Sequence, residues 1–245
     1  MSSARDPIGV LDSGLGGLSV LKALREELPN EQFLYCADCA HTPWGDKPES
    51  FIVERTRAIV HFLLQMQAKA VVLACNTATA AAADILRKEL SIPIIGIEPA
   101  VKPAAAQTRT GVIGVIATRR TTESARYLSL LKRFAGNVKV VTLAAPGLME
   151  CVERGDFNSE TTRELLLKYL TPIKDAGADK LVLGCTHYPF LSEAISEIMG
   201  PEVELLEPGR PVARVVRMRL QKTGLLNPSS CDIFRCTYFV AGAEK

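Results

Sequence analysis

The 245-residue sequence lacks most of what would tie it to a membrane, a nucleic acid or a disulfide scaffold. No stretch approaches the roughly 18 consecutive apolar residues of a membrane span. The amino terminus, MSSARDPIGVLDSG, groups only four apolar residues, Ile8 to Leu11, too few for the hydrophobic region of a secretory signal. Excess charge of one sign is also missing: 29 Lys plus Arg face 27 Asp plus Glu, and a net charge of +2 makes no electrostatic case for nucleic acid or anionic membrane as the main partner. Cysteine is present but odd in number, at seven, which with no secretory signal suggests reduced thiols and no disulfide framework. These absences lead to the expectation of a cytoplasmic protein with a small partner. With 47% hydrophobic residues there is ample material for a packed core, in one large domain or two modest ones.

What is there is a short stretch that occurs twice. Val71 to Thr79 reads VVLACNTAT and Leu181 to Pro189 reads LVLGCTHYP. Each is an apolar run that ends in a small residue, then a Cys, then side chains that hydrogen-bond or titrate. A buried parallel strand ending this way carries its polar residues at the carboxyl end, where open α/β sheets bind ligands.

Before the first of these stretches, the pattern predicts a strand at Ile8 to Leu11, the loop Asp12 to Gly17, and an amphipathic helix from Leu18 to Leu28 stopped before Pro29. A glycine-rich loop feeding a helix attracts anions. Its spacing is neither GxGxxG nor a P-loop, so a tight strand-to-helix turn is favoured over a phosphate site. A second strand, Phe33 to Ala37, leads to the loop Asp38 to Lys47, a plausible ligand clamp, and a helix from Ser50 to Gln67. Cys36, Cys39 and His41 invite a metal reading, but no second pair completes four ligands, so no metal is expected. An alanine-rich helix from Ala78 to Leu90 and a strand from Pro93 to Ile97 follow Cys75.

The chain then repeats itself. Ile8 is echoed 105 residues later at Ile113, Ser50 109 later at Ser159, Cys75 110 later at Cys185, and Glu98 109 later at Glu207. Four elements in one order at nearly one spacing predict two similar three-layer α/β/α domains with mostly parallel sheets. They are expected to be related by a pseudo-twofold, with the first formed by 1–98 plus 208–245 and the second by 99–207. A helix over Ala213 to Thr223 and a strand over Ile233 to Val240 are expected to pack back on the first domain. Such a pairing would bring Cys75 and Cys185 to an interdomain cleft. A lone Cys reads as a small buried hydrophobe, whereas a matched pair at strand ends reads as chemistry. Disulfide exchange generally uses CxxC or an apposed resolving thiol, and acyl transfer needs only one nucleophile. Stereochemical inversion needs two bases, because a proton taken from one face of a carbon is returned to the other.

The motifs Asp12-Ser13-Gly14, Tyr35-x-Ala37-Asp38 with Pro43-Trp44-Gly45, Ala74-Cys75-Asn76-Thr77-Ala78-Thr79, Val152-Glu153 and Gly184-Cys185-Thr186-His187-Tyr188-Pro189 closely resemble those of the glutamate racemase family across residues 8 to 210. The resemblance implies a cofactor-independent enzyme that supplies D-glutamate for peptidoglycan and so serves cell-wall biogenesis and cell shape. It implies that Cys75 and Cys185 are the two bases, with Asp12 assisting Cys75 and with His187 and Glu153 assisting Cys185. Ser13, Trp44, Gly45, Asn76, Thr77 and Thr186 match positions that hold the substrate, and Thr118 and Thr121 are candidates for its carboxylate site. The family usually has Tyr where this chain has Trp44. A homodimer, activation by a cell-wall precursor and binding to gyrase are further expectations of the same origin.

A free thiol titrates near 8.5, so one Cys must be held as thiolate and the other as thiol. General-base help contributes about 10² to 10⁴ in rate, too little alone to remove an α-proton without an electron sink. A preorganised site that stabilises developing carboxylate charge must supply the rest. Glu153 by itself would read as a solvated helix charge, His41 and His61 as surface or core, and Cys36, Cys39, Cys151, Cys231 and Cys236 as structural. Two rival readings are a racemase of the same superfamily acting on aspartate or a related amino acid, and a binding protein such as a gyrase inhibitor.

Overall fold

The structure is a computed structural model that describes residues 3–228 and 235–242. It divides into two compact units, one formed by Met1–Ile97 with Gly209–Lys245 and the other by Glu98–Pro208.

In the first unit β1 (Ile8–Asp12), α1 (Leu18–Glu27), β2 (Phe33–Ala37), α2 (Glu49–Gln65), β3 (Ala70–Leu73), α3 (Asn76–Glu89) and β4 (Ile94–Gly96) alternate along the chain. The second unit runs α4 (Val101–Gln107), β5 (Val112–Ala117), α5 (Arg119–Thr122), α6 (Ala125–Phe134), β6 (Lys139–Ala144), α7 (Leu148–Glu153), α8 (Glu160–Asp175), β7 (Lys180–Gly184), α9 (Ser192–Met199) and β8 (Glu204–Leu206). The chain returns to the first unit as α10 (Gly209–Lys222) and β9 (Cys236–Val240). The expected strand from Ile233 begins outside the described residues, and its described part is β9.

All described strand pairs are parallel. The first sheet has the order β4-β3-β1-β2-β9 and the second β6-β5-β7-β8. Read from β1 and from β5, the first four strands of each unit follow one topology: the second strand lies on one side of the first, the third on the other, and the fourth outside the third. The strand order therefore reverses between β1 and β3, and again between β5 and β7. In open α/β sheets the crevice beyond the carboxyl ends of such a pair is the usual ligand position.

The strands read as near-continuous apolar runs because helices cover both faces. Alternate residues of the first sheet, such as Ile8, Val10 and Val72, pack with Val20, Leu21 and Leu24 of α1 and with Val212, Val216 and Leu220 of α10. Leu11, Val71 and Leu73 face the other way, onto Val60 and Leu63 of α2 and Ala82 and Leu86 of α3. In the second unit Ile113, Val115 and Val182 pack with α4 and α6, while Leu181 and Leu183 pack with α8 and α9. Helix boundaries differ slightly from the expected ones. The alanine-rich helix starts at Asn76 rather than Ala78, and the last helix at Gly209 rather than Ala213. The polar residues after Cys75 are thus a first helical turn, not a loop.

Three charged groups that pattern alone would place in water, Lys69, Glu31 and Asp179, are buried. The Lys69 ammonium donates to Glu31 and to the Ala4 carbonyl, and Glu31 also accepts from the Asn227 backbone N–H at 2.8 Å. The pair ties the strand entrance to the carboxyl-terminal part of the unit. In the second unit Asp179 precedes β7. Burial opposes its ionisation, but hydrogen bonds from the Thr108 hydroxyl, the Arg109 N–H and the Thr110 hydroxyl outweigh it and bring the carboxyl from 3.8 to about 2.

A Cβ added at Gly114 would lie 2.3 Å from Cγ2 of Ile173, so Gly114→Ala is expected to destabilise the protein by about 1–3 kcal/mol, seen as a lower melting temperature. The depressed Asp179 group contributes stability above its unfolded pKa and loses it as pH falls through the folded one. Asp179→Asn should therefore be least stable relative to the parent near neutral pH, with the difference closing between 3.8 and about 2 in acid melts. A pH-independent difference would contradict the assignment.

Candidate functional site

At the end of β1 the chain turns through Ser13 to Gly17 into α1. The buried Asp12 carboxylate turns back into this loop, its Oδ2 accepting from the N–H groups of Gly14 at 3.1 Å and Gly17 at 3.0 Å. Those are N–H groups a phosphate would need, so the structure favours the tight-turn reading of the glycine-rich segment. Gly17 is obligatory here: a Cβ would sit 2.6 Å from Cβ of Asp12 and 2.9 Å from the Tyr35 hydroxyl.

One strand over, Cys75 is the N-cap of α3, its sulfur accepting from the Ala78 N–H at 3.4 Å. The same thiol donates to the Ser13 hydroxyl at 3.6 Å. An N–H aimed at sulfur and the positive end of a 14-residue helix both favour thiolate. Asn76 follows, buried, with neither Oδ1 nor Nδ2 partnered among the described residues. Buried amides are almost always hydrogen-bonded, so an unsatisfied one beside a candidate base is suited to a polar ligand. The Trp44 indole, 1% exposed and in one apolar cluster with Leu11 and Cys75, also has an Nε1 without a partner among the described residues. Thr77 is buried and Gly45 half-buried.

The loop carrying Trp44 and Gly45 starts at Asp38, whose buried carboxylate is gripped by Arg55 at 2.6 and 3.0 Å and by His41 at 3.0 Å. Cys36, next to it on β2, contrasts with Cys75: burial, and then the Asp38 charge, push its thiol up to about 11. Cys36, Cys39 and His41 form no metal-binding group, and the described residues hold no cluster of three or more His, Cys, Asp or Glu suited to an ion. Cys36, Cys39, Cys75, Cys151, Cys185 and Cys236 are free thiols. Cys231 lies outside the described residues.

In the second unit Thr118 ends β5 and caps α5, its hydroxyl accepting from the Thr121 N–H at 3.3 Å and donating to the Thr121 hydroxyl at 3.0 Å. Beyond β7 come Cys185, Thr186 and His187, all buried. His187 Nδ1 lies 3.7 Å from the Cys185 sulfur, and its Nε2 lies 2.6 Å from Oε1 of Glu153 at the end of α7. A carboxylate on one imidazole nitrogen orients the other and stabilises its protonated form. The geometry therefore gives Cys185 a ready proton partner.

Two tyrosines fix the segment leading to α7. Tyr188 donates to the Ala145 carbonyl at 3.1 Å and Tyr169 to the Pro146 carbonyl at 2.9 Å. Burial, and then the neighbouring Cys185, raise the Tyr188 phenol well above 10, so it stays a neutral donor. Tyr169 carried no signal in the sequence, being one apolar residue among many on α8.

Both units are thus parallel α/β sheets in which an interior strand runs out into a buried thiol, Cys75 beside the Ser13 hydroxyl and Cys185 beside the His187–Glu153 pair. The Asp/Glu/Hydantoin racemase family model matches residues 8–216, and the chain belongs to that family. The glutamate racemase of Methylococcus capsulatus is 50% identical over 92% of this chain and 83% of its own length. Among solved structures, glutamate racemase isoform RacE1 from Bacillus anthracis superposes with a TM-score of 0.87 at 34% identity, covering 98% of this chain and 90% of that one. Escherichia coli glutamate racemase in complex with L-glutamate and the activator UDP-MurNAc-ala gives 0.83 at 31% identity, covering 97% and 90%.

If the Glu153 carboxylate acts on Cys185 through His187, Glu153→Gln should slow iodoacetamide labelling of Cys185 at neutral pH roughly three- to tenfold and leave Cys75 labelling unchanged. Peptide mapping of both sites reads this directly. Equal labelling of Cys185 in parent and variant would show that the carboxylate does not act on the thiol.

Proposed function

We propose that this protein interconverts L- and D-glutamate without a cofactor, with Cys75 and Cys185 as acid/base groups on opposite faces of the α-carbon. In the D-to-L direction the Cys75 thiolate takes the α-proton, becoming a thiol and leaving the electron pair delocalised into the substrate carboxylate. The Cys185 thiol then returns a proton to the other face and becomes a thiolate. The L-to-D direction reverses both transfers.

The observation that carries this reading is the matched pair of strand-end thiols, each with its own proton-handling partners, in a chain about half identical to glutamate racemases. Ser13 and the N-terminus of α3 support the Cys75 side, with Asp12 holding the loop that presents Ser13. His187 and Glu153 support the Cys185 side. Asn76 brings an unsatisfied buried amide, which a substrate ammonium or carboxylate would satisfy, and Trp44 an indole N–H, which would donate to a carboxylate, with Gly45, Thr77, Thr118, Thr121 and Thr186 completing the polar contacts. General-base help of about 10² to 10⁴ leaves most of the barrier to such contacts with the developing charge.

The same reading extends to the cellular role: D-glutamate for peptidoglycan, made in the cytoplasm by a homodimer. No helix among the described residues is long and apolar enough to cross a membrane. Regulation by a cell-wall precursor is part of the proposal, prompted by the activator bound to the E. coli relative.

The purified protein, with no added cofactor, should interconvert the glutamate enantiomers and exchange the α-hydrogen with solvent deuterium. Turnover of aspartate in place of glutamate would reassign the substrate, and exchange with neither would point to a binding role. Cys75→Ser and Cys185→Ser should each lower racemisation by at least about a hundredfold. Full activity in either would remove the two-base mechanism.

A further inference from the structure

Tyr35 takes no part in the chemistry proposed above, yet its hydroxyl is buried against the loop on which Ser13 stands. The ring lies on β2, in register with Val10 of β1, and is 1% exposed. Its hydroxyl donates to the Gly14 carbonyl at 2.9 Å. The N–H of the same residue donates to Asp12, as does that of Gly17. Gly14 is therefore held through both its backbone polar groups, the N–H of the Ser13–Gly14 peptide and the carbonyl of the Gly14–Leu15 peptide, and Ser13 lies between Asp12 and this doubly held residue. Gly17 has no side chain, which leaves room for the phenol, since a Cβ there would fall 2.9 Å from the hydroxyl oxygen.

From this geometry we infer that Tyr35 is a positioning residue for the reaction: its hydroxyl clamps the Gly14 carbonyl so that the Ser13 hydroxyl stays within reach of the Cys75 sulfur. A hydrogen bond to sulfur at 3.6 Å is already long, and small rotations of Ser13 would break it. Without the clamp Cys75 loses a fixed hydroxyl partner, while the contact between Cys185 and His187 includes neither Tyr35 nor Ser13. The inference rests on the reading of Cys75 as a base for its kinetic consequences, but not for its effect on thiol reactivity.

Tyr35→Phe keeps the ring and its packing and deletes only the donor. Because two enantiomers are equally stable, kcat/KM must fall by the same factor in both directions, and a fall of roughly five- to twentyfold is expected. The two half-reactions separate in their isotope effects. With Cys75 slowed, the primary deuterium effect should rise on D-[2-²H]glutamate and shrink on the L enantiomer. Iodoacetamide labelling of Cys75 should change several-fold while that of Cys185 stays constant, a comparison internal to each sample that does not require activity. Ser13→Ala should produce the same pattern, and the double variant should be no worse than Ser13→Ala alone, since both remove one interaction. A structural role alone would lower the melting temperature without the selective labelling change, the isotope asymmetry or the non-additivity. Unchanged labelling of Cys75, or equal changes at both cysteines, overturns the inference. Loss of the Cys75 labelling change and full activity of Cys75→Ser are separate results: the first counts against Tyr35, the second against the two-base reading.

Discussion

A parallel strand covered by helices on both faces has nowhere to put a polar side chain except at its end. That constraint governs this molecule. In each sheet the two strands that flank the reversal of strand order, β1 with β3 and β5 with β7, carry apolar residues along their length and the candidate site groups at or immediately beyond their ends. Asp12 and Cys75 stand at one such pair of ends and Thr118 and Cys185 at the other. The helices that follow add the polar ends of their first turns, so each thiol meets fixed backbone donors or titratable partners within a residue or two of leaving the core.

Equivalent positions have acquired different surroundings. The first thiol is a helix N-cap beside a serine hydroxyl, surroundings that do not change charge near neutral pH. The second lies against an imidazole backed by a carboxylate. In the proposed reaction each sulfur therefore works with a different set of hydrogen-bonding partners. The loops are also braced separately, by Asp12 and Tyr35 in one unit and by Tyr169 and Tyr188 in the other.

Much of the fold was legible. Apolar runs marked the strands, and the nearly constant spacing of four elements marked the repeat, which the common strand order now accounts for. Helix starts were less legible: Asn76 and Thr77 look like loop residues but form the first turn of α3, because a cysteine sulfur takes the capping role usually filled by an oxygen side chain. The short helices α5 and α7 gave no periodic signal, being too brief for one. Glu153 therefore owed its candidacy to resemblance and not to pattern.

The chain alone determined that two α/β units would each end a buried strand in cysteine, because period, apolar content and repeat spacing are local properties of the sequence. Which atoms stand beside each sulfur was decided only by tertiary structure. Ser13 reaches Cys75 across 62 residues and Glu153 reaches His187 across 34. Contacts at such separations depend on which strands are neighbours and on how far each helix runs, and neither is written in the local pattern of residues.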